Sequence, residues 1–133
     1  MAAGNVELVR RMFGLWNAGD IEGWLQCWHE DAEWVSEPVA ALDGAPRTYR
    51  GHEGLRRFPA DALEGFADLG QVERLECREA GDAVLALGDY RVKAEAEGPE
   101  VVTPMAWLLE IREGRIASGR DFMDQGAALH AIR

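Results

Sequence analysis

From Leu69 onward the sequence reads as four strand-like segments with short turn signals between them, and this run limits the possible folds more than any other feature. QVERLECRE, AVLALGDYRVKAE, EVVTPMAWLLEIRE and RIASGRDFMD are rich in β-branched and aromatic residues. AGD, EGP and EG stand between them, each a plausible tight turn. Consecutive strands joined this closely pair antiparallel, so the second half of the chain predicts a meander. The last of the four carries Arg120, Asp121 and Asp124 where an ordinary core strand would be apolar.

The first half reads as helix. Val6, Val9, Phe13 and Trp16 fall at helical spacing and predict a helix over 5–17 capped by Asn5. Ile21, Trp24, Leu25 and Trp28 repeat the pattern, predicting a second helix capped by Asp20 and ended by His29, whose imidazolium suits the helix dipole. AEWVSE alternates and predicts a strand stopped by Pro38, and VAALDGAPRTYRG reads as a loop. Leu55, Phe58, Ala62 and Phe66 share one face of a third helix, in which Pro59 should force a kink or confine the helix to one side, at a cost of roughly 3 kcal/mol if nothing relaxes. DQGAALHAI predicts a short closing helix capped by Asp124, a structural role for that acid. Helices followed by a meander define an α+β arrangement, one domain over 1–133 with the N-terminal helices packed on one face of a curved antiparallel sheet.

Charge and composition narrow the partners. The net charge of −10 is spread along the chain and repels phosphate backbones and anionic lipid, so neither nucleic acid nor membrane is an expected partner. No apolar run is long enough to span a bilayer, and the N-terminus lacks a signal-peptide pattern, so the expectation is a cytoplasmic protein. Cys27 and Cys77 are then expected as thiols. There is no H-E-x-x-H, C-x-x-C, G-x-S-x-G, phosphate loop or dinucleotide fingerprint, so neither a metal nor a cofactor is expected. His52 reads as a turn or capping residue, and His130 lies near the C-terminus. Five tryptophans in 133 residues point to a large aromatic interior, which serves a core or a ligand cavity equally well.

Four stretches, NVELVRRMFGLWNAGD, HEDAEW, TYRGHEGLRRF and GRIASGRDFMDQGAAL, resemble the SnoaL-like branch of the nuclear transport factor 2-like superfamily over about residues 5–131. The resemblance implies a cone, a bent sheet wrapped around helices with a cavity between them, and often a homodimer. Its members include ketosteroid isomerases, limonene-type epoxide hydrolases, polyketide cyclases and binding modules without chemistry. The isomerases' tyrosine falls here on Met12, their acidic proton donor on Ala106, and their base beside Ser36 and Glu37. The epoxide hydrolases' last-strand aspartate matches Asp121, while their other aspartate and arginine fall on Tyr90 and Gly88, and their tyrosine and asparagine on Trp34 and Ser36. A one-residue slip would bring in Asp89 or Arg91 instead.

Asp121 is therefore the candidate proton carrier. If its strand alternates, Gly119, Asp121 and Met123 share the cavity face, and desolvation raises an acid's pKa by up to ~3–5 units at full burial. The competing reading is a structural carboxylate tied to Arg91 or to backbone donors. Tyr90 or Ser36 would assist Asp121; Trp34, Ser36, Trp107, Met105 and Met123 are the expected wall, while Trp16, Trp24 and Cys27 read as core. The expected partner is a small hydrophobic molecule, turned over by acid–base chemistry without a cofactor or simply bound.

Overall fold

The computed structural model describes residues 2–36, 47–93 and 95–131. Helices α1 (Ala2–Asn17) and α2 (Ile21–Gln26) lead into strands β1 (Trp28–Ser36) and β2 (Arg47–Arg50). Helix α3 (Gly51–Gly65) precedes β3 (Gln71–Ala80), β4 (Ala83–Lys93), β5 (Glu100–Arg112) and β6 (Arg115–Phe122), and α4 (Gln125–Ala131) closes the chain.

Of the helical face expected for α1, Val9, Phe13 and Trp16 enter the core and Val6 packs half-buried against it, with Met12 buried beside them. The helix begins at Ala2, which places Asn5 inside it rather than at its cap. Its other end is held by Asn17, whose side-chain amide donates to the Val72 carbonyl at 2.9 Å and whose Oδ1 accepts from the Val72 N–H at 2.8 Å. Asp20 caps α2 as expected, accepting from the Gly23 N–H at 2.9 Å. Helix α3 runs through a buried Pro59 instead of stopping beside it. Proline removes one intrahelical N–H donor, and the buried Leu55 and Ala62 of the same helix supply packing that offsets the loss.

The sheet order is β2-β1-β6-β5-β4-β3. The four-strand meander is as expected, and its last turn, Glu113-Gly114, has both residues at positive φ, 54° and 77°. That is the turn whose twist matches the strands it joins. Three features of the strands differ from the expectation. His29 lies on β1, not on α2, because the chain turns out of the helix at Cys27 and Trp28 opens the strand. Residues 47–50 form an edge strand antiparallel to β1 instead of a loop. Strand β1 itself pairs parallel with β6, so the sheet is mixed rather than wholly antiparallel.

The sheet bends where β3 bulges. The pairing with β4 slips between Glu73 and Glu76, and Arg74 takes a positive φ of 55°. Opposite the bulge, a Cβ on Gly88 would meet the Glu73 carbonyl oxygen at 2.9 Å, so this position excludes side chains. Bulges increase local twist and turn a sheet into a curved wall. The main core fills the side facing α1, α2 and α3. A smaller cluster of Leu85, Leu87, Ala106 and Phe122 lies on the other face under Ala128 of α4. Asp124 begins α4, accepting from the Gly126 N–H at 2.8 Å, which is the structural role expected for it.

Candidate functional site

Strand alternation and register decide which side chains meet. Trp34 pairs with Gly119, Trp107 with Asp121, Ala86 with Trp107, and Gly88 with Met105. These residues, with Ser36 and Tyr90 two positions along, share the face that looks toward the helices. A cavity of about 60 Å³ opens there, room for a few waters. The sheet supplies Trp34, Ser36, Tyr90, Met105, Trp107 and Asp121 to its wall; Met12, Phe13, Trp16 and Trp24 come from α1 and α2, Phe58 and Ala62 from α3.

The aromatic rings are mutually braced. Phe13 meets Trp107 edge-on at a centroid distance of 4.9 Å, and Phe58 meets Trp34 at 5.5 Å. Trp24, Trp28 and Trp34 form a chain of edge contacts at 5.7 Å each. Gly119 makes this possible, since a Cβ there would lie 2.8 Å from Trp28 and 2.9 Å from Trp34 and Leu109.

Two polar side chains sit in this apolar setting: Ser36 is 0% and Asp121 3% exposed. The Ser36 hydroxyl donates to Asp121 Oδ2 at 3.3 Å. An ionised carboxylate moved from water into such a wall costs several kcal/mol unless hydrogen bonds offset it. Arg91, the expected structural partner of Asp121, instead bonds Glu73 at 2.8 Å. Asp89 lies 3.4 Å from Arg74. Neither Asp89 nor Arg91 turns to the cavity, so the slipped register is not adopted and Tyr90 is the residue that faces inward.

Tyr90 is nevertheless engaged. Its hydroxyl donates to the Leu69 carbonyl, and its ring rests on Gly70, where a Cβ would lie 2.5 Å away. Burial, then the charges of Asp68 and Asp121, pushes its phenol above the ordinary range. Its proton is thus directed at Leu69 rather than shared with Asp121. A second buried phenol, Tyr49 opposite Trp34, donates to Asp61 Oδ2 at 2.8 Å and is pushed up to about 12 by burial and then by that bond.

Met123 is a correction. It is 45% exposed and outside the cavity, because β6 ends at Phe122 and the chain turns toward the Asp124 cap. Ala106, the position matched to the isomerases' acid, lies in the cluster under α4, so the cavity positions nearest it are Met105 and Trp107. Conversely, Trp16 and Trp24 are wall as well as core, together with Trp28. Their helical spacing marks them as buried and carries no signal that separates core from wall. His52 ties α3 to β1 through Nε2 and the Trp28 carbonyl at 2.8 Å. Among the described residues no group of three His, Cys, Asp or Glu is placed to hold a metal, and Cys27 and Cys77 are unpaired. No described helix is long and apolar enough to cross a membrane.

An open, bent sheet with helices over its inner face and a buried carboxylate on that face defines a cone-type α+β protein. The chain belongs to the SnoaL-like domain family, whose model matches residues 9–119. Its fold is that of TerC, co-crystallised with polyporic acid: 26% identity over 97% of this chain and 98% of that one, with a TM-score of 0.81. A protein of ketosteroid isomerase-like fold from Catenulispora acidiphila, in complex with trimethylamine, is 21% identical over 87% and 84% of the two chains, TM-score 0.74. A candidate SnoaL-like polyketide cyclase from a Jannaschia species is 23% identical over 98% and 92%, TM-score 0.75. No curated protein matches the sequence.

Proposed function

We propose that this SnoaL-like protein takes a small, ring-containing hydrophobic molecule into its aromatic cavity and moves a proton on it through Asp121, as an isomerase, cyclase or hydrolase without a cofactor. The observation that carries the reading is a carboxylate 3% exposed on an apolar, largely aromatic wall, with the Ser36 hydroxyl donating to it at 3.3 Å. A carboxylate that only closed the fold would be replaceable at lower cost by an apolar side chain. In the simplest step Asp121 takes a proton from the carbon next to a ligand carbonyl. The C–H electron pair becomes the new carbon–carbon double bond as the carbonyl π pair moves onto the oxygen, and return of the proton to carbon or oxygen regenerates the carboxylate. Ser36 positions the base.

The test is deuterium exchange of the benzylic protons of phenylacetone in D2O, followed by proton NMR. Wild type is expected to accelerate exchange roughly a hundred- to ten-thousand-fold over Asp121→Asn. Equal rates, with phenylacetone bound, refute the proton-transfer role. A second reading, a binding module without chemistry, is favoured by one observation: the Tyr90 proton is committed to Leu69, leaving Asp121 without that expected helper. The TerC crystal with polyporic acid supports small-molecule binding in either case.

The reading extends to a homodimer in the cytoplasm. Exposed Val101 and Val102 on β5 offer apolar surface for self-association, and light scattering after size exclusion gives the mass that decides it. Unpaired Cys27 and Cys77 fit a reducing compartment.

A further inference from the structure

The cavity is small for the ligand proposed for it. About 60 Å³ holds a few waters, fewer atoms than a ring and its side arm bring. A second pocket of about 180 Å³ lies outside it, between the turn that follows α1, at Ala18 and Gly19, and the α3–β3 connection, at Asp68, Leu69 and Gly70. Trp16 belongs to both walls. All the residues around the inner cavity are buried except Phe58, Phe66 and Tyr90, so it comes to the surface beside these three. Phe66 begins the α3–β3 connection, and Tyr90 packs against it.

Tyr90 closes the boundary between the two spaces. Its ring covers Gly70, where a Cβ would lie 2.5 Å away, and its hydroxyl donates to the Leu69 carbonyl. On either side of Leu69 the chain is pinned by other groups. The Ala67 N–H donates to the Lys93 carbonyl at 2.7 Å, and the Lys93 N–H donates to Asp68 Oδ1 at 3.2 Å. Beyond Gly70, Asn17 holds both the N–H and the carbonyl of Val72. The Tyr90 hydroxyl therefore bonds the middle of a short span whose two ends are fixed. Parting it from Leu69 breaks neither anchor, and both polar groups would then meet the water of the outer pocket. A hydrogen bond exchanged for water in this way costs little net free energy, so the parted state is within thermal reach.

We propose that Tyr90 and the Leu69–Gly70 segment are the gate of the cavity: parting the Tyr90 hydroxyl from Leu69 joins the inner cavity and the outer pocket into one site, and the joined state admits and holds the ligand. The inference rests on the ligand-cavity reading above and adds the route of entry and the state that binds. The latched form is then the resting one. A ligand binds the fraction of molecules whose gate is open, and its apparent affinity is reduced by that fraction. Removing the latch raises the fraction without touching the rest of the wall.

The test is stopped-flow tryptophan fluorescence with phenylacetone on the wild type and on Tyr90→Phe, which keeps the ring and removes the latch. The expected result is association roughly 3- to 10-fold faster in Tyr90→Phe, with Kd lower by the same factor and dissociation unchanged. A hydroxyl that only braced the wall, or that touched the ligand, would on removal leave affinity equal or weaken it. Equal or weaker binding, or tighter binding through slower dissociation alone, overturns the gate and leaves the cavity reading standing. A second measurement uses the ¹⁵N-labelled wild type, in which phenylacetone should move the backbone N–H signals of Gly19 and Gly70 together with those of Met105 and Trp107. Shifts confined to Met105 and Trp107 overturn the gate alone, and shifts confined to Gly19 and Gly70 refute the cavity reading as well. Binding to Tyr90→Phe but not to the wild type supports the gate; binding to neither at millimolar concentration refutes both readings. The wild-type spectra need no variant, so a Tyr90→Phe protein that fails to fold does not remove the test.

Discussion

Adding one methyl group at Gly119 should damage both the stability and the cavity. Its Cβ would approach Trp28 Cη2 at 2.8 Å and Leu109 Cδ2 and Trp34 Cε3 at 2.9 Å, three contacts closer than real Cβ atoms make. The chain of edge contacts from Trp24 to Trp34, continued to Phe58, prevents either indole from sliding away alone. Overpacking of this kind costs about 1–3 kcal/mol. For a domain of 133 residues, unfolding entropy near 2.1 cal/mol/K per residue converts each kcal/mol to about 4 °C. Gly119→Ala should therefore lower Tm by about 4–11 °C in a thermal melt followed by circular dichroism. Gly14→Ala provides the opposite sign. Nothing lies within 4 Å of its Cβ on the exposed side of α1, and replacing a helical glycine gains about 1 kcal/mol, or about +4 °C. An unchanged Tm in Gly119→Ala would show that the tryptophans can yield, and the argument that this glycine shapes the wall would be wrong.

Three further outcomes are expected. Ser36→Ala should destabilise by about 1–2 kcal/mol through the loss of a donor to a buried carboxylate, and a double-mutant cycle with Asp121→Asn should give coupling of about 1 kcal/mol; additive effects would show that the 3.3 Å contact is idle. The two tyrosines, both raised, should remain un-ionised in the folded state near pH 10. Because an unfolded tyrosine loses its proton at about 10, their contribution to stability is complete below that pH and declines as pH rises toward the folded values. Absorbance at 295 nm should therefore rise together with alkaline unfolding, and a tyrosinate signal at pH 10 with intact near-UV dichroism would contradict it. Cys27, enclosed in the core, should resist a thiol reagent, and half-buried Cys77, whose thiol burial pushes up, should react slowly; fast labelling of both would contradict the packing around α2 and β3.

What the sequence made legible follows the range of the interactions involved. Short-range patterns carried through: the helical stripe of α1, the cap at Asp20, the Glu113-Gly114 turn and the meander are set by neighbours within a few residues. The parallel pairing of β1 with β6 joins segments some 85 residues apart, as in the Ser36–Asp121 bond, and no local pattern announces it. Strand β2 escaped because RTYR has one apolar residue among four, too short for alternation to register. Helical spacing carries α2 on to His29 because Trp28 fits that spacing as well as it fits a strand start. In the site, Asp121 was found by its charge in an apolar strand. Alternation reaches Met123 only if the strand runs one step further than its end at Phe122. Which tryptophans wall a cavity depends on where helices meet the sheet, a tertiary fact that composition does not hold.

The most direct measurement of the central claim is a tryptophan-fluorescence titration with phenylacetone in the wild type and in Ala62→Leu. Ala62 is buried on α3 and lines the cavity, so three added carbons fill space that a ligand would need. The account predicts saturable, one-to-one quenching in the wild type and at least tenfold weaker binding in a folded Ala62→Leu protein. Equal binding by the two proteins would place the ligand elsewhere, and the cavity would then be only a packing defect of the core.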